Sequence, residues 1–570
     1  MAEEVWMLQT KKADFKQIGA RFRIDPVTAR IIRNRGIEGE AAIDRYLNGT
    51  LDDLYDPMLL KDMERAVSIL CEAVDTGKKI RIVGDYDIDG VCSTYILLQA
   101  FERLGSDVDF EIPDRIKDGY GINESIIEQA HADGVEVILT CDNGISAFHQ
   151  VELAKKYGMT VVITDHHEVP LDGEKEKIPP ADAVIDPKQA DCPYPFPEIC
   201  GAVVAYKLVQ VLYARRGVPQ MEWLDLLEFA AIATVGDVMK LQDENRILVK
   251  YGLKKMAQTK NLGLRRLAEK NNLDLGAFTA YHIGFVIGPC LNAGGRLKTA
   301  KEALALLRAQ SEEEAERLAE ELKELNDTRK DMTEQGTEAA KLQVESWYQK
   351  DKVLVVFLPE CHESLAGIIA GRLREYYQKP AIVLTRGEEA VKGSGRSIDE
   401  YHMFKKLTEV SDLLLKFGGH PLAAGLSLEE KNIDEFRRRL NENAGLTEED
   451  FKAKVWIDVP MPVGYVTERL VRELSCLEPF GQGNEKPLFA EKSLRIRASR
   501  VLGRNRNVVK MTLEETDGHA IEALYFGDGT AFEEERAGRR EIDVVYYPDI
   551  NEYNGRKTLQ AVIRRYKFRG

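Results

Sequence analysis

Three stretches of this chain end an apolar run in carboxylates or imidazoles. KIRIV (79–83) leads into GDYDIDG (84–90), which carries Asp85, Asp87 and Asp89. VEVILT (135–140) leads into CDNG (141–144) with Asp142, and TVVIT (160–164) leads into TDHHE (164–168) with Asp165, His166 and His167. One acidic turn after a strand is usually a helix cap, and one His pair is usually structural. Three such turns in succession mean something else, because converging carboxylates repel one another unless a cation holds them. Oxygen ligands with one or two imidazoles suit Mg²⁺ and especially Mn²⁺, and the lack of clustered thiolates disfavours structural zinc. The set points to a pair of divalent ions. Asp237, in TVGDVMKL after an apolar helix, is the candidate for a further metal arm.

These residues can meet only if the strands before them lie side by side. The spacing predicts helices over VCSTYILLQAFERLG (91–105) and SAFHQVELAKKYG (146–158), and a further strand in DAVID (182–186). Strands alternating with helices mean βαβ units and a parallel sheet. Ligands bind at the carboxyl ends of such strands, and Gly90 and Gly144 let the backbone turn tightly there. Cys92 and Cys141 stand singly beside the motifs and read as core filler.

Downstream, residues 301–345 are charged, Ala/Leu/Glu-rich and Pro-free, which predicts a long helix linking two domains. A second alternating region follows from DKVLVVFL (351–358), with the Gly-rich KGSGRS (392–397) and FGGHPLAAG (417–425). From about 455 the period changes to two. Five runs, LRIRASRVL, NVVKMTLEE, AIEALYF, EIDVVYY and TLQAVIRRYKF, predict a small barrel of the OB type. The barrel holds a basic run, RIRASRVLGRNRNVVK (495–510), with five arginines, one lysine and no acid. Arg504 and Arg506 within it, with Tyr525, Phe526, Tyr546, Tyr547 and Tyr553, would suit a groove that tracks phosphates and stacks bases.

The whole chain has 570 residues, a net charge of −16, 44% apolar and 31% charged residues. That composition excludes collagen-like, mucin-like and wholly disordered classes. The length suggests about three to four domains. No window approaches the roughly 20 apolar residues of a membrane span, and MAEEVWML is not a signal peptide. The eight cysteines form no CxxC pair, so a reducing, cytoplasmic setting is the simplest expectation. An acidic total argues only weakly against nucleic acid, because phosphates respond to local basic patches.

DYDIDG, CDNG, DHH and GDV, followed far downstream by GGH, resemble the DHH phosphoesterase superfamily and, over about 60–560, its RecJ family. The resemblance implies an α/β fold. A DHH parallel-sheet domain (61–300) follows an N-terminal extension (1–60). A connecting helix (301–345) leads to a smaller α/β DHHA1-type domain (346–450), and an OB-fold barrel (455–570) ends the chain. It implies that Asp87, Asp89, Asp142, His166 and Asp237 are metal ligands, with Asp85 a further one and Asp142 bridging two Mn²⁺ or Mg²⁺ ions. His167 would contact the scissile phosphate, and Asp165 would orient the loop by hydrogen bonding. Arg115, Ser394 and Arg396 would bind a terminal 5′-phosphate, and Gly419 and His420 belong to the GGH motif that closes over the site. LNAGGRL (291–297) resembles another motif of the family, serving packing or DNA contact. The implied activity is a metal-dependent 5′→3′ exonuclease that degrades single-stranded DNA to 5′-mononucleotides in repair and recombination. It would be monomeric, with a RecQ-type helicase and a single-strand-binding protein as partners. Two rival readings are a phosphodiesterase of short oligoribonucleotides or cyclic dinucleotides, and a non-catalytic DNA clamp. The OB-like region disfavours the first and the intact acid and histidine set the second.

Overall fold

The computed structural model describes residues 4–569 apart from 116, 117, 120 and 554. The side chain of Tyr553, one of the expected stacking aromatics, also lies outside the described residues. The chain forms two compact units. One comprises Leu54–Met239 and Ile247–Ala453, the other Glu4–Asp53, Lys240–Arg246 and Lys454–Gly570. No helix among the described residues is long and apolar enough to cross a membrane.

The first unit opens on a parallel sheet of β1 (Ile80–Val83), β2 (Val108–Glu111), β3 (Val137–Cys141), β4 (Thr160–Thr164) and β5 (Ala183–Ile185). Its order is β2-β1-β3-β4-β5, with Ile82 beside Leu139, Leu139 beside Val162 and Val162 beside Ala183. The Val/Ile-rich central strands are buried on both faces, as a parallel sheet requires. Strand β2 reads VDFE and is half-buried along its length, so no apolar run announces it in the sequence. Helix α1 (Ile88–Arg103) leaves the end of β1 and packs on α2 (Gly201–Arg216) and α3 (Leu227–Gly236).

The expected continuous helix over 301–345 is two helices. Lys301–Arg308 ends where Ala309 turns extended (φ −53°, ψ 130°). The Ser311 hydroxyl then accepts the Glu314 amide at 3.2 Å and starts the long helix Glu312–Gln343. Three glutamates in its first turn complement the positive end of the helix dipole. Between α3 and this region lies α4 (Gly288–Leu297), which contains LNAGGRL.

Beyond the long helix a second sheet comprises β6 (Leu354–Phe357), β7 (Ala381–Arg386), β8 (Val391–Arg396), β9 (Leu414–Gly419) and β10 (Ala423–Leu428), in the order β9-β10-β8-β7-β6. Helix α5 (Ala366–Tyr377) packs on β7 and β8. KGSGRS lies mostly on β8, and FGGHPLAAG is the β9–β10 hairpin with Gly418 opposite Gly425. Gly419 has φ +147°, and a Cβ there would sit 2.4 Å from the Ala423 carbonyl oxygen.

The second unit is a closed barrel. Strands β11 (Phe489–Leu502), β12 (Val508–Glu514), β13 (Ala520–Phe526), β14 (Glu541–Tyr553) and β15 (Arg556–Phe568) pair in the cycle β11-β12-β13-β15-β14, and β14 returns to β11. Only β13 and β15 run parallel in this cycle. Helix α6 (Gly529–Arg536) follows β13 in the chain and packs on β11 and β12. The N-terminal segment forms three helices, Phe15–Phe22, Pro26–Asn34 and Glu40–Asn48, after a short strand. Their Ile31, Ile32, Ile43 and Tyr46 share one core with Leu474, Phe489 and Val509, so the segment belongs to the barrel unit.

Candidate metal centre

The loop after β1 folds because its acids satisfy backbone amides. Asp87 caps α1, its Oδ1 accepting the Asp89 and Gly90 amides at 2.9 and 3.1 Å. Asp89 accepts the Gly201 and Ala202 amides at 2.6 and 2.7 Å, which ties it to the N-terminus of α2. Asp85 is buried and accepts the Gly121 amide at 3.3 Å. Gly90 is required here, since a Cβ would lie 2.4 Å from the Asp85 carbonyl oxygen. After β3, Asp142 sits in the left-handed region with φ +60°, and a Cβ on Gly201 would come 2.7 Å from its own Cβ. After β4, Asp165 accepts the Ile145 and His166 amides, each at 2.8 Å, and stands 2.8 Å from His167 Nδ1. Asp237 caps the end of α3.

The side chains converge. His166 Nε2 lies 3.1 Å from Asp142, 3.4 Å from Asp89 and 3.8 Å from Asp237. The geometry yields three overlapping triads able to hold a cation: Asp85, Asp87 and Asp142; Asp89, His166 and Asp237; and Asp142, His166 and His167. Within each, the donor atoms lie within 4.8 Å of one another. Every residue expected to hold metal is in this cluster, and Asp142 is shared between two triads.

Its electrostatics fit divalent ions. Burial, then the charge of Asp87, pushes the Asp85 carboxyl up to about 8. Burial and neighbouring carboxylates also raise Asp89 and hold Asp142 and Asp237 well above the ordinary carboxylate range. Burial lowers His166, keeping the neutral imidazole a metal needs, and its Nδ1 is buried without a partner. Burial opposes protonation of His167, but Asp165 outweighs it and lifts the imidazole to about 9. Burial likewise opposes ionisation of Asp165, yet His167 holds it low. Cys92, Cys141 and Cys200 lie in the same region as buried thiols pushed up by burial, and they are packing.

Beside the cluster lies a cleft of about 540 Å³ lined by Arg115, Arg296, Ser364, Gly367, Ser394 and Arg396. Arg115 stacks over Tyr86 at 4.8 Å, and Tyr86 sits between Asp85 and Asp87 in the metal loop. Burial, then repulsion from Arg115 and Arg329, lowers Arg296 to about 10. A Cβ on Gly367 would come 2.9 Å from the Arg396 guanidinium. Sequence reasoning singled out Arg115, Ser394 and Arg396 but not Arg296, whose Nη1 donates to the Ser364 carbonyl at 3.0 Å. The glycines of LNAGGRL pack: a Cβ on Gly295 would lie 2.3 Å from the Tyr86 carbonyl oxygen. Asp186, at the end of β5, is also new. It is buried, with Oδ2 unpartnered, and burial followed by Asp165 pushes it up to about 7.

Other expected residues stand elsewhere. Gly419 and His420 are exposed on the β9–β10 hairpin and neither line the cleft nor join the triads. Arg504 and Arg506 are exposed at the β11–β12 turn of the barrel unit, where Arg506 donates to Thr530 at 3.0 Å. The stacking role expected of Tyr546 and Tyr547 is corrected. Both are buried, because both faces of β14 are covered: Tyr546 donates to the Met461 carbonyl at 2.9 Å, and Lys486 lies over the Tyr547 ring at 3.7 Å. Tyr525 packs on Phe532 and Tyr566, while Phe526 is exposed. The basic run is partly neutralised, with Arg497 paired to Glu514 and Lys510 to Glu522.

A parallel sheet with acidic and histidine loops at its strand ends, followed by a second sheet carrying GGH, defines a DHH phosphoesterase. The DHH family N-terminal domain model matches residues 79–234, the DHHA1 domain model 350–445 and the RecJ OB domain model 457–565. The single-stranded-DNA-specific exonuclease RecJ of Bacillus subtilis is 36% identical over 564 residues, covering 98% of this chain and 70% of that one. RecJ of Escherichia coli is 34% identical, covering 95% of each. The crystal structure of Thermus thermophilus RecJ in complex with Mn²⁺ superposes with a TM-score of 0.84 at 28% identity, covering 99% of this chain and 80% of that one. The chain belongs to the RecJ family.

Proposed function

We propose that the chain is a metal-dependent exonuclease that removes 5′-mononucleotides from single-stranded DNA, beginning at the 5′ end. The observation that carries this reading is the arginine-lined cleft beside the acidic cluster, joined to it through Tyr86. A terminal phosphate held by Arg115, Arg296, Ser394 and Arg396 sets the first phosphodiester over the cluster, so cutting proceeds one nucleotide at a time. Guanidinium forks suit a phosphate dianion better than a hydroxyl.

Asp85, Asp87, Asp89, Asp142, His166 and Asp237 would hold two Mn²⁺ or Mg²⁺ ions, with Asp142 shared. Such ions supply Lewis acidity toward a phosphodiester and its attacking water. His166 offers a neutral imidazole. His167, kept protonated by Asp165, presents a positive donor beside the scissile phosphate. Arg504, Arg506 and the exposed face of the barrel would hold the backbone of longer strands. The domain division given by the sequence, monomeric action in the cytoplasm, and cooperation with a RecQ-type helicase and a single-strand-binding protein complete the reading.

The test is a single strand bearing label at one end. With Mn²⁺, a 5′-labelled strand should yield labelled mononucleotide at once, while a 3′-labelled strand shortens in a ladder. Immediate mononucleotide from the 3′ label would overturn the polarity.

A further inference from the structure

A second cavity of about 400 Å³ lies in the first unit, away from the metal centre. At its wall is Glu228, in the first turn of α3 and only 3% exposed. Its Oε1 accepts the Thr259 hydroxyl at 2.7 Å, and its Oε2 is buried without a partner. An unpaired buried carboxyl oxygen costs free energy unless a donor from outside reaches it. The Tyr95 hydroxyl, which accepts from Asn261 at 3.1 Å, faces the same cavity with its own proton still to give. Phe229 and Tyr95 supply aromatic wall, their ring centroids 4.3 Å apart.

The rim carries both signs of charge, with Arg103, Lys255, Lys260 and Arg308 beside Glu222 and Asp225. Arg103 is paired to Glu222 at 2.5 Å, Arg308 to Glu102 at 2.5 Å and Lys255 to Asp225, while Lys260 extends into solvent with a longer 3.3 Å pair to Asp225 and is the cation most open to an anion. The N-terminal turns of α3 and of the helix Leu262–Lys270 also border the cavity, and helix N-termini favour anions. A ligand matching all of this carries an anion at one end and a hydrogen-bond donor on a flat ring at the other. The volume lies within the range of ordinary small-molecule sites.

We propose that this cavity binds a nucleoside 5′-monophosphate, the base giving a donor to Glu228 and the phosphate meeting the Lys260 rim. The inference rests on the proposed nuclease reading, which makes such nucleotides the reaction's product. Helix α3 links the two places: Glu228 stands at its start and Asp237, in the metal cluster, at its end, about 14 Å away at 1.5 Å per residue. Product released at the metal centre is thereby sensed at the opposite end of the helix that carries one of its acids.

The experiment is calorimetric titration of dGMP into the full-length, Mn²⁺-loaded protein. Arg396→Ala removes the equivalent bound in the terminal-phosphate cleft. Glu228→Gln and Lys260→Glu should each weaken a different equivalent at least tenfold, and deoxyribose 5-phosphate, which lacks the base, should not fill it. In the Arg396→Ala background, dGMP should slow amide exchange across 227–236, and adding Lys260→Glu should abolish that slowing. Lys260 is exposed, so its variant folds even if Glu228→Gln does not. Retention of wild-type dGMP binding by Lys260→Glu, or equal binding of deoxyribose 5-phosphate at this site, overturns the proposal. Failure of Arg396→Ala to lose an equivalent counts against the cleft assignment alone.

Discussion

Asp142 lies where two of the three triads meet, and its loss should damage both halves of the centre at once. Asp85 belongs to one triad, so its loss should weaken one. Cleavage by Asp142→Ala is expected to stay absent at any Mn²⁺ concentration, whereas Asp85→Ala should regain part of its rate in excess metal. Titrating Mn²⁺ against release of labelled mononucleotide separates the two. Asp85 and His167 set a pH dependence. Asp85 is raised from an ordinary 3.8 to about 8, and His167 from 6.5 to about 9. In both, the folded state binds protons more tightly than the unfolded state, so the stability they contribute is present at low pH and lost as pH rises. Between pH 6.5 and 8 the two act together. Thermal unfolding of the metal-free protein should therefore fall by more than about 3 °C across that window. Mn²⁺, bound more tightly as the carboxyls ionise, should flatten the curve. An unchanged or rising midpoint without metal would contradict this account. Arg396→Ala should reduce any preference for 5′-phosphorylated over 5′-hydroxyl ends, measured as the ratio of kcat/KM values.

At the scale of elements, the centre depends on close approaches between helix starts and strand ends. Gly201 opens α2 directly against Asp142, and Gly295 of α4 presses on the Tyr86 carbonyl of the metal loop. Gly201→Ala should cost about 1–3 kcal/mol through overpacking and weaken Mn²⁺ binding, both visible in denaturant unfolding with and without metal. The acids themselves were legible, because a strand end, a Gly and a run of carboxylates are all local. Arg296 was not, since it enters the cleft only when α4 docks, and its motif reads equally well as packing. Strand β2 escaped because VDFE is half-buried and lacks an apolar run. The break before Ser311 was visible in principle, with a capping hydroxyl followed by three glutamates, but helix-forming composition on both sides masked it. Tyr546 and Tyr547 misled because alternation would leave one of them outward, whereas Met461 and Lys486 cover both faces of the strand.

For the molecule as a whole, cutting falls under the proposed reading to the unit that carries the acids, and the holding of longer strands to the barrel unit. The five barrel strands could be read from their period of two. That the first fifty residues share the barrel's core could not, since Ile31 and Phe489 are far apart in the chain. Reversing the charge of Arg504 and Arg506 should weaken binding of long single strands and leave very short substrates little changed. The salt dependence should flatten by roughly one counterion for each phosphate that the arginines no longer neutralise. Binding measured from low to moderate salt would decide it, and an unaltered slope would remove this turn from the DNA path.

The left-handed backbone of Asp142, φ +60°, limits what can stand in its place. Asparagine and aspartate tolerate that region better than other residues with a side chain. Asp142→Asn therefore keeps the turn, the shape and the amide pattern while surrendering the negative charge. Alanine surrenders the charge and adds backbone strain. The asparagine form is the natural decoy: a protein that should still grip a strand by its terminal phosphate yet leave it whole. It offers a means of capturing the bound strand intact for crystallography, or of shielding a 5′ end from other nucleases.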